Sequence, residues 1–112
     1  MSEMTYPELI ENLPDVDLDM PGVRAKLLQG VDNQLVFFEI EPIGAIPPHA
    51  HGAQWGVVIE GELELTISGE TRTYQPGDSY FIPAGSTHEA RVKTRVRAVD
   101  VFDEVDRYRP KK

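Results

Sequence analysis

Two of the three histidines in this 112-residue chain, His49 and His51, stand one residue apart in the stretch PPHAHGAQW, Pro47 to Trp55. On an extended segment alternate side chains leave the same face, so the two imidazoles project together in a chelating arrangement. A pair of exposed loop histidines after Ile46-Pro47-Pro48 is spelled the same way, and His-x-His alone does not choose between the two. The third, His88, ends PGDSYFIPAGSTH, after a strand-like run and a Pro-Ala-Gly turn. Neutral imidazoles suit Zn, Fe, Ni, Cu and Mn, and three of them leave coordination positions open for water or substrate. The chain has no cysteine, so any metal must rest on His, carboxylate or amide ligands. A disulfide framework and a catalytic thiol are excluded on the same ground.

A carboxylate joins these candidates from the C-terminal end. In VRAVDVFDEVDR, Val96, Ala98, Asp100 and Phe102 alternate with Arg97, Val99 and Val101. If the even-numbered face lines an interior, Asp100 is an acid in an apolar pocket, and a buried acid needs a partner or a chemical task. The competing reading is a rim residue paired with Arg97 or Arg107. Tyr80 shares a face with Ile82 and either reaches the same interior or belongs to the core.

Strands must position these groups. From Pro21 onward short apolar runs are broken every six to ten residues by Gly, Pro, Asn or Asp, the texture of an all-β sandwich or barrel. The expected strands are Val23 to Gln29, Gln34 to Glu41, Gln54 to Glu60, Glu62 to Ser68, Arg72 to Gln75, Ser79 to Ile82 and Arg95 to Phe102. Leu63, Leu65 and Ile67 alternate with Glu62, Glu64 and Thr66, giving one buried and one wet face. Residues 1–22, acidic and carrying two of their three prolines early, read as an N-terminal arm. Residues 23–108 read as one domain and 109–112 as a C-terminal tail.

Composition narrows the partners. Eleven basic against 19 acidic residues give a net charge of −8, which opposes nucleic acid and anionic lipid surfaces. An anionic small molecule remains compatible, because a local Arg or metal charge outweighs the overall field at short range. No apolar run approaches a membrane span and the first residues are acidic, so a cytoplasmic location is the expectation.

The histidine stretches resemble the two motifs of the cupin superfamily. The first, Gly, then His-x-His, an acid or amide, six residues and Gly, is matched by Gly44, His49, His51, Gln54 and Gly61. The second, Gly, five residues, Pro-x-Gly, two residues and His, is matched by Gly77, Pro83, Gly85 and His88. The resemblance spans roughly residues 23–102 and implies a small RmlC-like double-stranded β-helix, or jelly-roll barrel. It also implies one divalent transition metal (Zn, Ni, Fe or Mn) on His49, His51, His88 and a fourth ligand. That fourth ligand is commonly Glu, whereas Gln54 stands here, after a shortened gap from His51. The alternative for Gln54 is a surface amide beside Trp55, with three histidines alone on the metal. Small cupins are generally dimers, so a homodimer is also implied.

Within that superfamily the chain is similar to the enzymes of pectin and alginate breakdown that linearise unsaturated monouronates. They carry two His, a Gln and a third His on the metal, with an Asp-x-Phe near the C-terminus followed by an Arg. Asp100 and Phe102 match the pair, while Asp106 takes the expected place of the arginine and Arg107 follows one position later. The resemblance implies Asp100 as proton carrier and Phe102 as part of the pocket wall. Tyr80 is a further candidate, and Arg24, Lys26, Arg91 and Arg107 are candidates to meet a substrate carboxylate. Two other readings stay open: a non-heme metal dioxygenase, and a non-catalytic module that binds a small ligand.

Overall fold

The computed structural model describes residues 5–111. Nine strands dominate it: β1 (Val23–Gln29), β2 (Gln34–Ile40), β3 (Gly44–His49), β4 (Gln54–Glu60), β5 (Leu63–Ile67), β6 (Glu70–Tyr74), β7 (Ser79–Ile82), β8 (His88–Val92) and β9 (Val96–Phe102). One short helix, α1 (Glu8–Glu11), precedes them. The strands form a five-stranded sheet in the order β1-β2-β9-β4-β7 and a four-stranded sheet in the order β3-β8-β5-β6. Every pairing between strands is antiparallel. This is the expected jelly roll.

Seven of these strands overlap the segments expected from the sequence; β3 and β8 are not among them. Pro47 and Pro48 in β3 have no N–H to give a ladder, and the strand survives because it lies at a sheet edge, paired with β8 alone. Its register with β8 shifts between Ile46 and His49. In β8, His88, Ala90 and Val92 are buried while Glu89 and Arg91 are exposed, a period of two in which a histidine replaces an aliphatic residue.

The inner faces of the two sheets meet in a core built on Ile40, Val58, Leu63, Leu65, Ile82 and Val92. A second cluster at one end unites Val16, Leu27, Val36 and Phe102. There the N-terminal and C-terminal segments cross: the Asp17 N–H donates to the Arg109 carbonyl at 2.8 Å and the Lys111 N–H to that of Asp15 at 2.7 Å. Fully buried Gln34 holds the crossing in place. Its Nε2 donates to the Tyr108 carbonyl at 2.7 Å, and its Oε1 accepts from the Tyr108 N–H at 2.9 Å.

The outer face of the five-stranded sheet carries a row of alternating charge. Arg24, Glu39, Arg97 and Glu60 are register partners on four successive strands. Arg97 is buried and pairs with Glu39 at 2.5 Å and with Glu60. Tyr6 covers it, its ring 5.8 Å from the guanidinium. Among the described residues no helix is long and apolar enough to cross a membrane.

Candidate metal centre

His49 ends β3 and His88 begins β8, and the two are register partners. His51 lies in the short loop that leads into β4. Their candidate ligand nitrogens all fall within 4.8 Å of one another. The loop is tied to the second motif by the Gly85 N–H, which donates to the His51 carbonyl at 2.9 Å. Gly61, in the left-handed region at φ 81°, could not carry a side chain, because a Cβ there would collide with the Arg95 carbonyl.

Each imidazole is oriented in the same way. The Nδ1 atoms of His49, His51 and His88 lie 2.9, 2.9 and 3.0 Å from the carbonyls of Pro47, Gly52 and Ser86. With a carbonyl as partner Nδ1 carries the proton, which leaves the Nε2 lone pair for a ligand, the usual outer support of a metal-binding histidine. Glu104 steadies the loop further, accepting the Gly52 N–H at 2.9 Å with the same oxygen 3.7 Å from His51 Nδ1. Burial holds the His51 and His88 imidazoles below their ordinary pKa, and the Arg107 cation pushes in the same direction. Both are neutral at physiological pH.

Two buried atoms without a hydrogen-bond partner test the fit to a cation. They are His88 Nε2 and Gln54 Oε1, both on residues that line one cavity with His49 and His51. A buried acceptor with no donor is costly, and a metal ion satisfies both. Gln54 begins β4, and its Nε2 donates to Asp100 Oδ2 at 2.6 Å, which fixes Oε1 as its free end. Gln54 is thus a residue of the cavity wall, not a surface amide. The donor set of three imidazoles and one amide oxygen fits a divalent transition metal.

Asp100 lies beside this set. It is 1% exposed and accepts the Tyr80 hydroxyl at 2.9 and 3.0 Å as well as the Gln54 amide. Among the described residues it has no ion pair; Arg97 points to the other face of β9, so the rim reading of Asp100 does not hold. Burial pushes its carboxyl up from 3.8 to about 7, against the lowering effect of the two hydrogen bonds. Gly56 makes room for the group, since a Cβ there would strike Asp100 Oδ2 and the Tyr80 ring.

That environment predicts a pH-dependent stability for the metal-free protein. Between pH 4 and 7 the folded state holds a proton on Asp100 that the unfolded state has released, so stability falls as pH rises through this window. A carboxyl moved from 3.8 to about 7 corresponds to at most about 4 kcal/mol. Urea unfolding of the chelator-treated chain should show this decline, and the Asp100→Asn variant should lack it. Parallel pH profiles for the two chains would remove Asp100 as its source.

The cavity has a volume of about 520 Å³. Ile46, Leu63, Leu65 and Ile82 give it apolar walls, and Tyr80 lines it as well as belonging to the core. Asp17, Asp19, Glu89 and Arg107 also line it. Of the four basic candidates, Arg107 reaches it, with its guanidinium 5.0 Å from the Tyr108 ring. Arg24 does not: it pairs with Glu39 at 2.5 Å on the outside of the five-stranded sheet. Lys26 pairs with Asp15 at 2.7 Å, and Arg91 lies 3.8 Å from Glu64. Phe102 is not a lining residue. It packs behind His51, ring centroids 5.6 Å apart, within the second core cluster. The supports Gln34 and Glu104 carry no sequence signal, since each acts on a residue more than fifty positions away.

The family model for the cupin domain matches residues 36–102, which carry all four candidate ligands and Asp100. This chain belongs to the cupin family. No curated protein matches it. Among solved structures, this cupin is similar to an RmlC-like cupin from Shewanella frigidimarina, with a TM-score of 0.77 and 24% identity over 95% of each chain. It is similar to KdgF from Halomonas sp. at a TM-score of 0.70 and 25% identity, covering 82% of this chain and 88% of that one. A putative ethanolamine utilization protein Q from Salmonella typhimurium gives a TM-score of 0.66 at 28% identity, covering 75% and 71%. The family and its three-histidine cluster make this a metal-binding cupin in character.

Proposed function

We propose that this cupin is a mononuclear metal-dependent isomerase that opens the ring of an unsaturated sugar acid. One observation carries the reading: Asp100, a buried carboxyl without a cation, lines the same cavity as the three histidines. An acid kept there against its desolvation cost, with a pKa near neutrality, can both take and return a proton. The Asp-x-Phe motif at Asp100 and the Gln at position 54 support the substrate class.

His49, His51 and His88 through Nε2, and Gln54 through Oε1, would hold the ion. When bound, it supplies Lewis acidity toward a substrate oxygen. Asp100 accepts the proton of the anomeric hydroxyl as the carbonyl forms and the bond from C1 to the ring oxygen breaks. The ring oxygen leaves with the bond pair as the oxygen of an enolate that includes the former ring double bond. Asp100 then delivers the same proton to C4, and the enolate becomes a ketone. The reaction is redox-neutral and consumes no co-substrate. Tyr80 and Gln54 hold the Asp100 carboxyl in one orientation by their hydrogen bonds. Arg107 meets the substrate carboxylate, and the apolar walls keep bulk water from the enolate.

The test follows the ultraviolet absorbance of the conjugated carbon–carbon double bond of an unsaturated monouronate, which disappears on turnover. Asp100→Asn should keep its metal and lose turnover by about 10²- to 10⁴-fold, the usual contribution of general acid–base catalysis. Turnover equal to that of the wild type would remove Asp100 from the chemistry. No consumption by the metal-loaded wild type would sink the sugar-acid reading.

A further inference from the structure

The four candidate ligands of the metal centre are all neutral. Three imidazoles and an amide oxygen leave a divalent ion with its full charge, in a cavity that Arg107 also lines. Such a site calls for an anion close by, and a metal-binding histidine commonly finds one in a carboxylate behind its ring. Asp17, Asp19 and Glu89 line the cavity, yet among the described residues none of them pairs with a histidine. Asp100 has its oxygens engaged by Tyr80 and Gln54. Glu104 fills the place, with Oε1 3.7 Å from His51 Nδ1.

The fold presses Glu104 against this loop. The Asp103 N–H donates to the Ala53 carbonyl at 2.9 Å, which carries the ladder between β9 and β4 one step past its last pair, Phe102 with Gln54. Gln29 Nε2 donates to the Val105 carbonyl at 3.1 Å on the other side. Between these ties the Glu104 side chain lies directly over Gly52, where a Cβ would stand 2.7 Å from Glu104 Cγ and 2.9 Å from its Cδ and Oε1. Gly52 is held at both ends: its N–H donates to Glu104 Oε1 at 2.9 Å, and its carbonyl lies 2.9 Å from His51 Nδ1. The His51 side chain is 7% exposed and that of Glu104 30%, so water screens the carboxylate only in part.

We propose that Glu104 is a positioning residue that sets the affinity of the site for its metal, supplying through His51 the negative charge that the four ligands lack. This rests on the metal centre of the proposed function and not on the sugar-acid reaction. Two effects of the carboxylate can be separated by substitution. Glutamine keeps an oxygen to accept the Gly52 N–H and removes the charge, whereas alanine removes both. If the tie to Gly52 alone mattered, glutamine would bind metal as the wild type does.

The test is the zinc affinity of the full chain, measured by competition with a chromophoric chelator. Glu104→Gln should weaken zinc binding by about 10- to 100-fold, the usual loss for a partner behind a metal ligand, and Glu104→Ala by at least as much. Asp103→Asn removes the same charge from the exposed neighbouring position and should leave the affinity unchanged, which separates a local carboxylate from the overall charge of −8. The metal-free Glu104→Gln chain should melt with the wild type, and saturation with cobalt(II) should give the wild-type absorption spectrum, because all four ligands are retained. A glutamine variant that binds zinc as tightly as the wild type would overturn the proposal and leave the metal centre standing. An equal loss in Asp103→Asn would overturn it in favour of the overall field. A lower melting temperature or an altered cobalt spectrum in Glu104→Gln would overturn it in favour of a purely structural role. A wild type that takes up no zinc would remove the proposal and the metal centre together.

Discussion

Replacing His88 by alanine is expected to take the chain from about one bound divalent metal, the stoichiometry of a mononuclear site, to none. His88 is the most buried of the three histidines, and its Nε2 has no protein partner to satisfy it. The lone pair therefore has no other role in the described structure, and its removal deletes a donor without breaking a side-chain network. What remains is His49, His51 and a neutral amide oxygen, a weak set for a cation that must shed water to enter. A ligand bound to the folded state at 100 times its dissociation constant stabilises by about 2.7 kcal/mol. Added zinc should accordingly raise the melting temperature of the wild type by several degrees and leave His88→Ala unmoved. Elemental analysis of protein purified without chelator completes the test. Equal metal in the two chains would show that the histidine cluster is not the site.

Arg97→Met should cause the largest loss of stability of any single substitution on the outer sheet face, about 3–5 kcal/mol, the cost of breaking a buried ion pair by removing one partner. Two carboxylates depend on this guanidinium, and both are largely shielded, with side-chain exposures of 13% for Glu39 and 25% for Glu60. Burial pushes the Glu39 carboxyl up, but its hydrogen bonds to Arg24 and Arg97 outweigh that and hold it below the ordinary value. Its contribution is thus present above the unfolded carboxylate pKa and is lost as pH falls through the folded one. Methionine keeps the length of the stem but removes the cation between the two anions, leaving Glu39 with Arg24 alone and Glu60 without its Arg97 partner. Against a total of about 5–15 kcal/mol for a domain, the variant should melt more than about 10 °C lower. Adding Glu39→Gln and Glu60→Gln should recover most of the loss, because amides need no countercharge. If Arg97→Met melts with the wild type, or the triple variant fails to improve on it, the charged row is not a stabilising network.

Asp100 and Arg97 show where reading the sequence stops. Alternation along β9 already sorts the even-numbered residues from the odd, and the structure keeps Asp100 and Phe102 on the inner side and Arg97 on the outer. The partners were not legible. Asp100 meets Gln54 and Tyr80, 46 and 20 residues away, and Arg97 meets Glu39 and Glu60, because β9 lies between β2 and β4. The same limit separates the basic candidates. Arg24 and Arg107 are equivalent as residue types, but the parity of β1 turns Arg24 outward, while the clamp of Gln34 on the Tyr108 backbone holds the segment bearing Arg107 at the cavity. Phe102 sits on the expected face, yet it packs behind His51 rather than lining the cavity.

The sequence by itself determined what depends on neighbours in the chain: the location of seven strands, the period of two in β5 and β9, the Pro-Ala-Gly turn before His88, the closeness of His49 to His51, and the all-β cupin architecture those patterns spell. Tertiary structure decided what depends on strand order and register. It brought His88 to His49 through a ladder whose two strands had no clear signal, one broken by prolines and the other opened by a histidine. It turned Gln54 Oε1 free by giving its Nε2 to Asp100, and it laid Glu104 against Gly52. Local patterns reflect the stereochemistry of a few residues, whereas these contacts arise from pairings that the chain makes only when both sheets have closed on their common core.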